Sequence, residues 1–341
     1  MGCAIGEILE REIIDLDFLK GKIIGFDAYN ILYQFLSIIR SRDGQPLMDS
    51  KGRVTSHLTG LFYRTINLLE KNIKPVFVFD GVPLELKLKT IEKRHLIREE
   101  ARAEFEKALK EGRLEEAKKF AMRASQLTEE MVENAKELLD AMGIPFLDAK
   151  HDAEAQLAYM NKNNSIFGCA SQDFDCLLFG APRLLRYIAI TGKRKLPGKN
   201  IYVDIEPEMI LLEKNLQKLG ITQKKLVWIG ILIGTDFNEK FPRIGAKTAL
   251  KLVKECSSFE EIIKKTNYKP EFDYREIEKI FLEPEVVEDY EINFNTPNKE
   301  KIFKILVEEH NFSEERVNNA IKRLEKAIMQ KGSQSSLKKW F

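Results

Sequence analysis

The sequence has little of what marks several common functional classes. Only four of its 341 residues are cysteine, and no two of these have the CxxC spacing of a zinc site or a redox motif. None of its four histidines belongs to a pair at ligand spacing, and no Ser, His or Cys arrangement indicates a catalytic nucleophile. There is no signal peptide and no apolar run of about 18 or more residues. We therefore exclude a zinc or disulfide framework, and we expect an intracellular protein, cytoplasmic or nucleoid, with no membrane partner and no secretion or nuclear signal.

The sequence also lacks an excess of charge of one sign. Its 55 Lys and Arg residues are balanced by 53 Asp and Glu residues, which leaves a net charge of +2. Overall charge therefore does not predict a nucleic-acid-binding protein, and only a local concentration of charge could do so. Apolar residues make up 44% of the chain, which is enough for a substantial core.

Short apolar, strand-like runs alternate with helical patterns in the first half of the chain. The runs are 22–27, 74–81, 142–149, 165–173, 183–190 and 200–205. This alternation predicts an α/β fold with a mainly parallel central sheet flanked by helices. A helix-forming insertion rich in Lys, Arg and Glu occupies 84–125, and after residue 205 the pattern is helical almost throughout.

Acidic residues recur where these strand-like runs end. In parallel α/β sheets the carboxyl ends of the strands face a common crevice, where ligands bind. Three acids end a run, two open the helix behind the third run, one lies two residues after the fourth run, and one follows the apolar stretch ILIGT. The set expected to converge is Asp27, Asp80, Asp152, Glu154, Asp173, Asp175 and Asp236.

Seven carboxylates in one crevice repel each other unless cations compensate them. Hard divalent cations prefer oxygen ligands, and two such ions a few Å apart can clamp a phosphodiester for in-line attack by water. Each acid also has an ordinary interpretation: Asp152 as a helix N-cap, Asp80 as a turn residue, and Asp173 with Asp175 as a solvated strand end. The recurrence of the pattern favours the metal site.

Several motifs, in their order along the chain, carry a resemblance to a known family. They are FDAYNILYQFL, VFVFDG, MGIPFLDAKHDAEAQ, SQDFDCLLFGAP, ILIGTDFN, FLEPEV, FSEERV and QSSLKKWF. The sequence resembles the structure-specific 5′ nucleases, and most closely the archaeal-type flap endonucleases. The resemblance implies endonucleolytic cleavage at the base of 5′ flaps and 5′–3′ exonuclease activity, in Okazaki fragment maturation and DNA repair. It also implies that the seven acids bind two Mg²⁺ ions, for which Mn²⁺ can substitute.

The resemblance assigns further residues to DNA. The insertion matches an arch of helices through which the 5′ flap threads, and the gateway residues of that arch match Lys87 and Arg94. The sequence alone favours a solvated charged helix here, and the resemblance shifts the interpretation to the arch. A helix-hairpin-helix-like element with a K⁺ ion is implied near residues 243–247. The other expected DNA contacts, some of which also read as core residues, are Tyr33, Arg40, Gly245, Lys247, Phe312 and Arg316.

Two positions depart from the family pattern. Asp152 stands where the family usually has Glu, so the carboxylate is one methylene shorter and its metal contact is looser or bridged by water. Arg243 replaces the first glycine of a Gly-Ile-Gly turn, and it either adds a phosphate contact or distorts the turn.

The expected organisation is a single nuclease body over 1–330 with a tail that binds a sliding clamp at 331–341. Within the body we expect an N-terminal nuclease region (1–83), the helical arch (84–125), an internal nuclease region (126–236) and a helical DNA-binding half (237–330). The tail resembles the peptide that binds the ring-shaped clamp PCNA, through Gln334, Leu337, Trp340 and Phe341. The alternative interpretation is that the tail docks back on the nuclease body.

Two other functions remain open on the sequence. One is a metal-dependent RNase of similar core fold, against which the long arch and the clamp-like tail argue. The other is a catalytically weakened DNA-junction scaffold tethered to the clamp, with Asp152 and Arg243 as marks of decay.

Overall fold

The computed structural model describes residues 3–41, 45–189, 192–195 and 202–337. Of the predicted clamp-binding tail, Trp340 and Phe341 lie outside the described residues, and so do the side chains of Gln334 and Leu337.

The described residues form a seven-stranded sheet and a separate two-stranded antiparallel sheet. In chain order the strands are β1 (Glu12–Ile13), β2 (Ile23–Asp27), β3 (Lys74–Phe79), β4 (Phe146–Asp148), β5 (Gly168–Ala170), β6 (Arg183–Arg186), β7 (Gly192–Lys195), β8 (Tyr202–Ile205) and β9 (Glu208–Leu211). The order across the sheet is β1-β9-β6-β5-β2-β3-β4, and β7 pairs with β8. The five strands from β6 to β4 run parallel to one another, β9 is antiparallel to β6, and the edge strand β1 is antiparallel to β9. The predicted mainly parallel α/β sheet is confirmed.

Helices flank this sheet and form most of the C-terminal half. They are α1 (Ala28–Ile38), α2 (Ser56–Glu70), α3 (Glu85–Lys110), α4 (Leu114–Arg123), α5 (Glu129–Ala141), α6 (Ala153–Lys162), α7 (Asp175–Leu178), α8 (Leu212–Leu219), α9 (Gln223–Ile233), α10 (Ala246–Glu255), α11 (Phe259–Thr266), α12 (Tyr274–Leu282), α13 (Lys299–Phe303) and α14 (Glu314–Leu337). No helix among the described residues is long and apolar enough to cross a lipid bilayer.

Strand β3 shows why the sheet has a core on each face. Its side chains alternate between the two faces, as in any strand. Val76 and Val78 pack into a core with α6 and α9, whereas Phe77 and Phe79 pack into a second core with α1, α2, α5 and α14. A central parallel strand covered on both faces reads as an unbroken apolar run, which explains the sequence PVFVF.

The charged insertion folds as two helices that pack against each other, α3 and α4. The turn between them is made by Gly112, whose φ of +71° is a left-handed conformation that glycine adopts without strain. Lys, Glu and Arg are good helix formers, and most of α3 is exposed, so this helix depends on propensity more than on burial. The predicted helical insertion is confirmed.

The C-terminal half, which was expected to be helical almost throughout, contains two non-helical segments. Strand β9 lies beyond residue 205 and pairs with β6 in the main sheet, and residues 283–298 form neither helix nor strand. Helices α9 and α10 pack together and are joined by residues 234–245, which is the position of the predicted hairpin-like element.

Candidate active site

The carboxylates at the ends of β2 and β3 are each fixed by a helix N-terminus. Asp27 is the last residue of β2, and its Oδ1 accepts a hydrogen bond from the backbone N–H of Asn30 at 2.9 Å, which caps α1. Asp80 follows β3, and its Oδ1 accepts from the backbone N–H of Ala153 at 2.8 Å. Asp80 therefore caps α6, the helix that follows the neighbouring strand β4.

Because Asp80 caps α6, the side chain of Asp152 is not needed as the cap and can make another contact. Asp152 occupies the N-cap position but makes no capping hydrogen bond. Its buried carboxylate forms an ion pair with the ammonium group of Lys87, which comes from α3. The interpretation of Asp152 as an ordinary N-cap is therefore wrong. One carboxylate oxygen from each of Asp80, Asp152 and Glu154 lies within 4.8 Å of the other two, close enough to share one cation.

The segment SQDF does not continue the fourth strand. Strand β5 ends at Ala170, and residues 172–174 form a bend, so the expectation that Asp173 ends a strand is wrong. The Oδ2 of Asp173 accepts a hydrogen bond from Asn30 Nδ2 at 3.0 Å. Asp175 is the first residue of α7, and its Oδ1 accepts from the backbone N–H of Cys3 at 2.8 Å. The bend lets two like charges face different partners instead of standing side by side on one strand.

Asp236 reaches the site from a helix rather than a strand. It follows α9, after a turn in which Gly234 has a φ of +91°. Its carboxylate forms an ion pair with the guanidinium group of Arg94, again from α3. The apolar run before Asp236 is helical because it continues the apolar face of α9, which packs in the first core.

Burial and mutual repulsion raise the pKa of several of these carboxyls. Burial, and then the charge of Asp80, raise the pKa of Asp27 to about 7. Burial, and then the charge of Asp236, raise the pKa of Asp175 to about 7. The pKa values of Asp80 and Glu154 are raised by burial as well, although the positive charge of Lys87 opposes the rise in both.

The structure thus brings all seven predicted acids into one electrostatically coupled cluster. Every group is a carboxylate, whose oxygens are the ligands that hard divalent cations prefer. Burial first, and repulsion between the acids second, raise the pKa of several of them. The residues present therefore fit divalent metal ions.

Comparison with known proteins identifies the family. Residues 6–101 match the domain family described as "XPG N-terminal domain", and residues 143–236 match the one described as "XPG I-region". The chain is 52% identical to flap endonuclease 1 of Pyrococcus furiosus over 342 residues, covering 100% of this chain and 99% of that protein. It is 50% identical to flap endonuclease 1 of Staphylothermus marinus over 351 residues, covering all of both chains.

The chain belongs to the flap endonuclease 1 family. Its fold superimposes on the structure of flap endonuclease-1 from Methanococcus jannaschii with a TM-score of 0.77 and 40% identity, covering 97% of this chain and 100% of that one. The catalytic core of Rad2, solved in complex with a DNA substrate, has a TM-score of 0.67 at 22% identity over 94% and 97% of the two chains, which shows the shared fold. The protein is a flap endonuclease, a metal-dependent phosphodiester hydrolase of DNA replication and repair.

In this flap endonuclease one face of α3 lies over the acidic cluster. Lys87 contacts Asp152, Arg94 contacts Asp236, and the guanidinium of Arg98 lies 4.8 Å from the centre of the Tyr33 ring. Burial lowers the pKa of Lys87, but the charges of Asp80 and Asp152 outweigh it and raise the pKa overall. These three basic residues, seven and four positions apart, lie on one side of the helix. Lys87 and Arg94 pair with acids of the cluster, whereas Arg98 packs on the Tyr33 ring.

The other predicted DNA-binding residues lie at separate places. Arg40 bridges α1 to the end of the arch, because its Nη2 donates to the carbonyl of Ala121 at 2.8 Å and to Ser125 Oγ at 2.7 Å. Gly245 and Lys247 are exposed at the start of α10. Phe312 packs partly against the second core, and Arg316 is exposed on α14.

Sequence reasoning missed the groups that hold the acids in place. Asn30 contacts both Asp27 and Asp173, and the backbone N–H of Cys3 holds Asp175. The sequence did contain a signal for the Asn30 contact with Asp27. Asn30 lies three residues after Asp27, and a residue at that spacing donates its N–H to an N-cap side chain. The Cys3 contact spans 172 residues, and no local pattern could have indicated it.

Proposed function

We propose that this flap endonuclease hydrolyses DNA phosphodiesters at the base of 5′ flaps, and trims 5′ ends, with two Mg²⁺ ions held by the seven carboxylates. The observation that carries the proposal is the cluster of Asp80, Asp152 and Glu154, whose oxygens lie within 4.8 Å of one another beneath the basic face of α3. Mn²⁺ has the same preference for oxygen ligands and would substitute.

The two groups of acids suggest one cation site each. Asp80, Asp152 and Glu154 would hold one ion. Asp173, Asp175 and Asp236, whose charges interact, would hold the other, with buried Asp27 between the groups as a charge that tunes both. When bound, the ions supply Lewis acidity and activate water for in-line attack on phosphorus.

The basic residues of α3 have the chemistry to bind the scissile phosphate. Lys87 and Arg94 are positively charged donors placed over the acids, where they would stabilise the negative charge that develops on the phosphate oxygens. They can do so only after exchanging their carboxylate partners for phosphate. Tyr33 would stack on a base near the cleaved bond, in place of the Arg98 guanidinium.

Gly245 supports duplex binding at the hairpin-like element. Its φ of −104° is open to any residue, and no atom lies within 4 Å of the position that a Cβ would take. The fold therefore gives no internal reason for glycine there, whereas close approach of a DNA phosphate to the N-terminus of α10 does. Lys247 would add a phosphate contact, and a K⁺ ion would share the turn.

Three further contacts are part of the proposal. Arg40 would contact a phosphate near the arch, and Phe312 with Arg316 would line the pocket for a short 3′ flap. The tail over 331–341 would bind the sliding clamp PCNA through Gln334, Leu337, Trp340 and Phe341, which tethers the nuclease to replicating DNA. The regional division given above, from the N-terminal nuclease region to this tail, is proposed on the same grounds.

Cleavage of a labelled double-flap DNA tests the proposal. The wild-type protein is incubated with Mg²⁺ or with EDTA, beside Asp173→Ala and a control, Asp289→Ala, which removes an exposed acid outside the cluster. We expect cutting near the flap base with Mg²⁺, in the wild type and the control only. If the protein binds the branched DNA tightly but does not cleave it with any divalent metal, the proposed catalysis is refuted and the clamp-tethered scaffold is favoured.

A further inference from the structure

One neutral residue, Asn30, connects two carboxylates of the cluster through its backbone and its side chain. Asn30 lies in the first turn of α1, where its backbone N–H donates to Asp27 Oδ1 at 2.9 Å and its side-chain Nδ2 donates to Asp173 Oδ2 at 3.0 Å. Asp27 ends β2, and Asp173 follows β5, which pairs with β2 in parallel. Asn30 therefore spans the crevice between two neighbouring strand ends.

The orientation of the Asn30 amide is fixed from its other side. Its Oδ1 accepts hydrogen bonds from Gln34 Nε2 at 2.5 Å and from the backbone N–H of Gln172 at 3.3 Å. An amide presents two donors at nitrogen and acceptor sites at oxygen, and the backbone N–H of Gln172 can only donate. A flipped Asn30 would therefore place donor against donor at Gln172 and oxygen against carboxylate at Asp173. The hydrogen-bond network selects one orientation, the one in which NH₂ faces Asp173.

Helix formation does not account for asparagine at this position. Asn is a poor residue for a helix interior, and the N-cap of α1 is already supplied by Asp27. Gln34 lies four residues later and so directly above Asn30 on the same helix face. Gln34 and Asn30 thus form a chain of two hydrogen bonds from α1 to Asp173.

We infer that Asn30 is a positioning residue of the metal site, held in register by Gln34. Its amide donates to one oxygen of Asp173 and leaves the other oxygen for a cation. A neutral donor suits this place, because a lysine or arginine there would compete with the cation for the carboxylate, as Lys87 does at Asp152. The inference rests on the proposed function, in which Asp173 is a metal ligand.

Metal affinity measured without DNA distinguishes a role of Asn30 in positioning the metal ligand from a role in folding. Hydrogen-bond partners of metal ligands typically change metal affinity about 10–100-fold when they are removed. Mn²⁺ binding to the full chain is measured by electron paramagnetic resonance for the wild type, Asn30→Leu, Asn30→Ser and Gln34→Leu. Circular dichroism melting reports folding of each variant. The serine variant is polar but too short to reach Asp173, and it serves if the leucine variant does not fold.

A matched control is Asn215→Leu. Asn215 is a buried asparagine, whereas Asn30 is partly buried. Asn215 bonds to the backbone of Glu10 and Leu211, outside the acidic cluster. We expect Asn30→Leu and Asn30→Ser to weaken Mn²⁺ binding about 10–100-fold and Gln34→Leu to weaken it less. Asn215→Leu should melt at a lower temperature with unchanged Mn²⁺ affinity. In flap cleavage, the Asn30 variants should need more Mg²⁺ and recover most of kcat when Mg²⁺ is saturating.

The outcomes distinguish the inference from the proposed function. Equal Mn²⁺ affinity in the wild type and in folded Asn30 variants overturns the inference and leaves the proposed function standing. A wild-type protein that binds no Mn²⁺ overturns both. A loss of affinity in Asn215→Leu as large as in Asn30→Leu assigns the effect to general destabilisation and overturns the inference as well.

Discussion

The ammonium group of Lys87 forms an ion pair with Asp152, one of three carboxylates placed to share a cation. The Lys87 ammonium on α3 therefore neutralises negative charge that a bound metal ion would otherwise neutralise. We therefore expect a metal ion to compete with Lys87 for the charge of Asp152 when no DNA is bound.

Replacement of Lys87 should separate metal binding from catalysis. We expect Lys87→Met to bind Mn²⁺ several-fold more tightly without DNA, because the competing ammonium is gone. We also expect flap cleavage to slow by roughly 10²–10³-fold, because a donor to the transition state is lost. Isothermal titration and single-turnover cleavage measure the two effects. Lys89→Met, at an exposed position two residues away on α3, should change neither.

Neutralising one buried acid should stabilise the metal-free protein. The carboxyl of Asp175 is 8% exposed and is repelled by Asp236. In EDTA at neutral pH we expect Asp175→Asn to unfold with a free energy about 1–3 kcal/mol higher than the wild type. Mg²⁺ should stabilise the wild type and have a smaller effect on the variant. A variant less stable than the wild type in EDTA would contradict the view that uncompensated charge strains the site.

His57 should make the protein sensitive to acid. Burial, and then the proximity of His310, lower the pKa of His57 to about 3, and among the described residues neither ring nitrogen has a hydrogen-bond partner. The folded state then binds fewer protons than the unfolded state. The stabilisation from this residue is complete above about pH 6.5 and is lost as the pH falls towards 3.

Urea unfolding at several pH values tests this effect. Below pH 6 we expect the unfolding free energy of the wild type to fall faster than that of His57→Leu, by up to about 1.4 kcal/mol per pH unit. His95→Leu, which changes an exposed histidine on α3, should keep the wild-type slope. Parallel curves for His57→Leu and the wild type would be the contrary result.

Gly245→Ala should weaken DNA binding without unfolding the protein. The Cβ has open space and the backbone conformation is ordinary, so we expect stability to change by about 0.5 kcal/mol or less. Binding of a flap substrate should fall at least several-fold, because the methyl group keeps a phosphate from the backbone. Gly220→Ala is the opposite control: its φ of +64° should cost about 1 kcal/mol of stability and leave DNA affinity unchanged. Unaltered DNA affinity in Gly245→Ala would remove the hairpin from the proposed interface.

Arg243→Gly should stabilise the turn before α10. Arg243 is exposed with a φ of +61°, a left-handed conformation that costs a non-glycine residue roughly 1–2 kcal/mol. Because glycine also gains entropy in the unfolded chain, we expect a net gain of up to about 1 kcal/mol in thermal unfolding. Arg243→Ala, which removes the charge and keeps the conformation, should show no such gain. Loss of DNA affinity in both variants would show that the guanidinium contacts phosphate.

The sheet and two of its acids could be predicted because their signals are local. Asp27 and Asp80 follow apolar runs that are buried on both faces, and a run of that kind marks a central parallel strand. The site beyond them depends on long-range contacts. That Asp80, not Asp152, caps α6 is a choice between two strand ends made by tertiary structure, and it cannot be deduced from either segment alone.

Other failures have equally physical causes. The fourth run was predicted to extend to Asp173, but the strand stops at Ala170, and the chain bends over residues 172–174 before α7. The sequence around β9 gave no strand signal strong enough to interrupt a helical expectation, since its strand identity comes from pairing with β6. Tyr33 is partly exposed and is covered by Arg98, so it is not the core residue that its apolar neighbours suggested.

The late position of α14 in the chain determines when the second core can be completed. Its residues Val317, Ile321 and Leu324 complete the second core, and Arg323 bonds to Glu70, 253 residues earlier in the chain. During synthesis the ribosome therefore releases the strands that carry Asp27 and Asp80 long before the helix that closes the core beside them. For most of translation, the nascent chain therefore carries these acidic residues while the second core is incomplete.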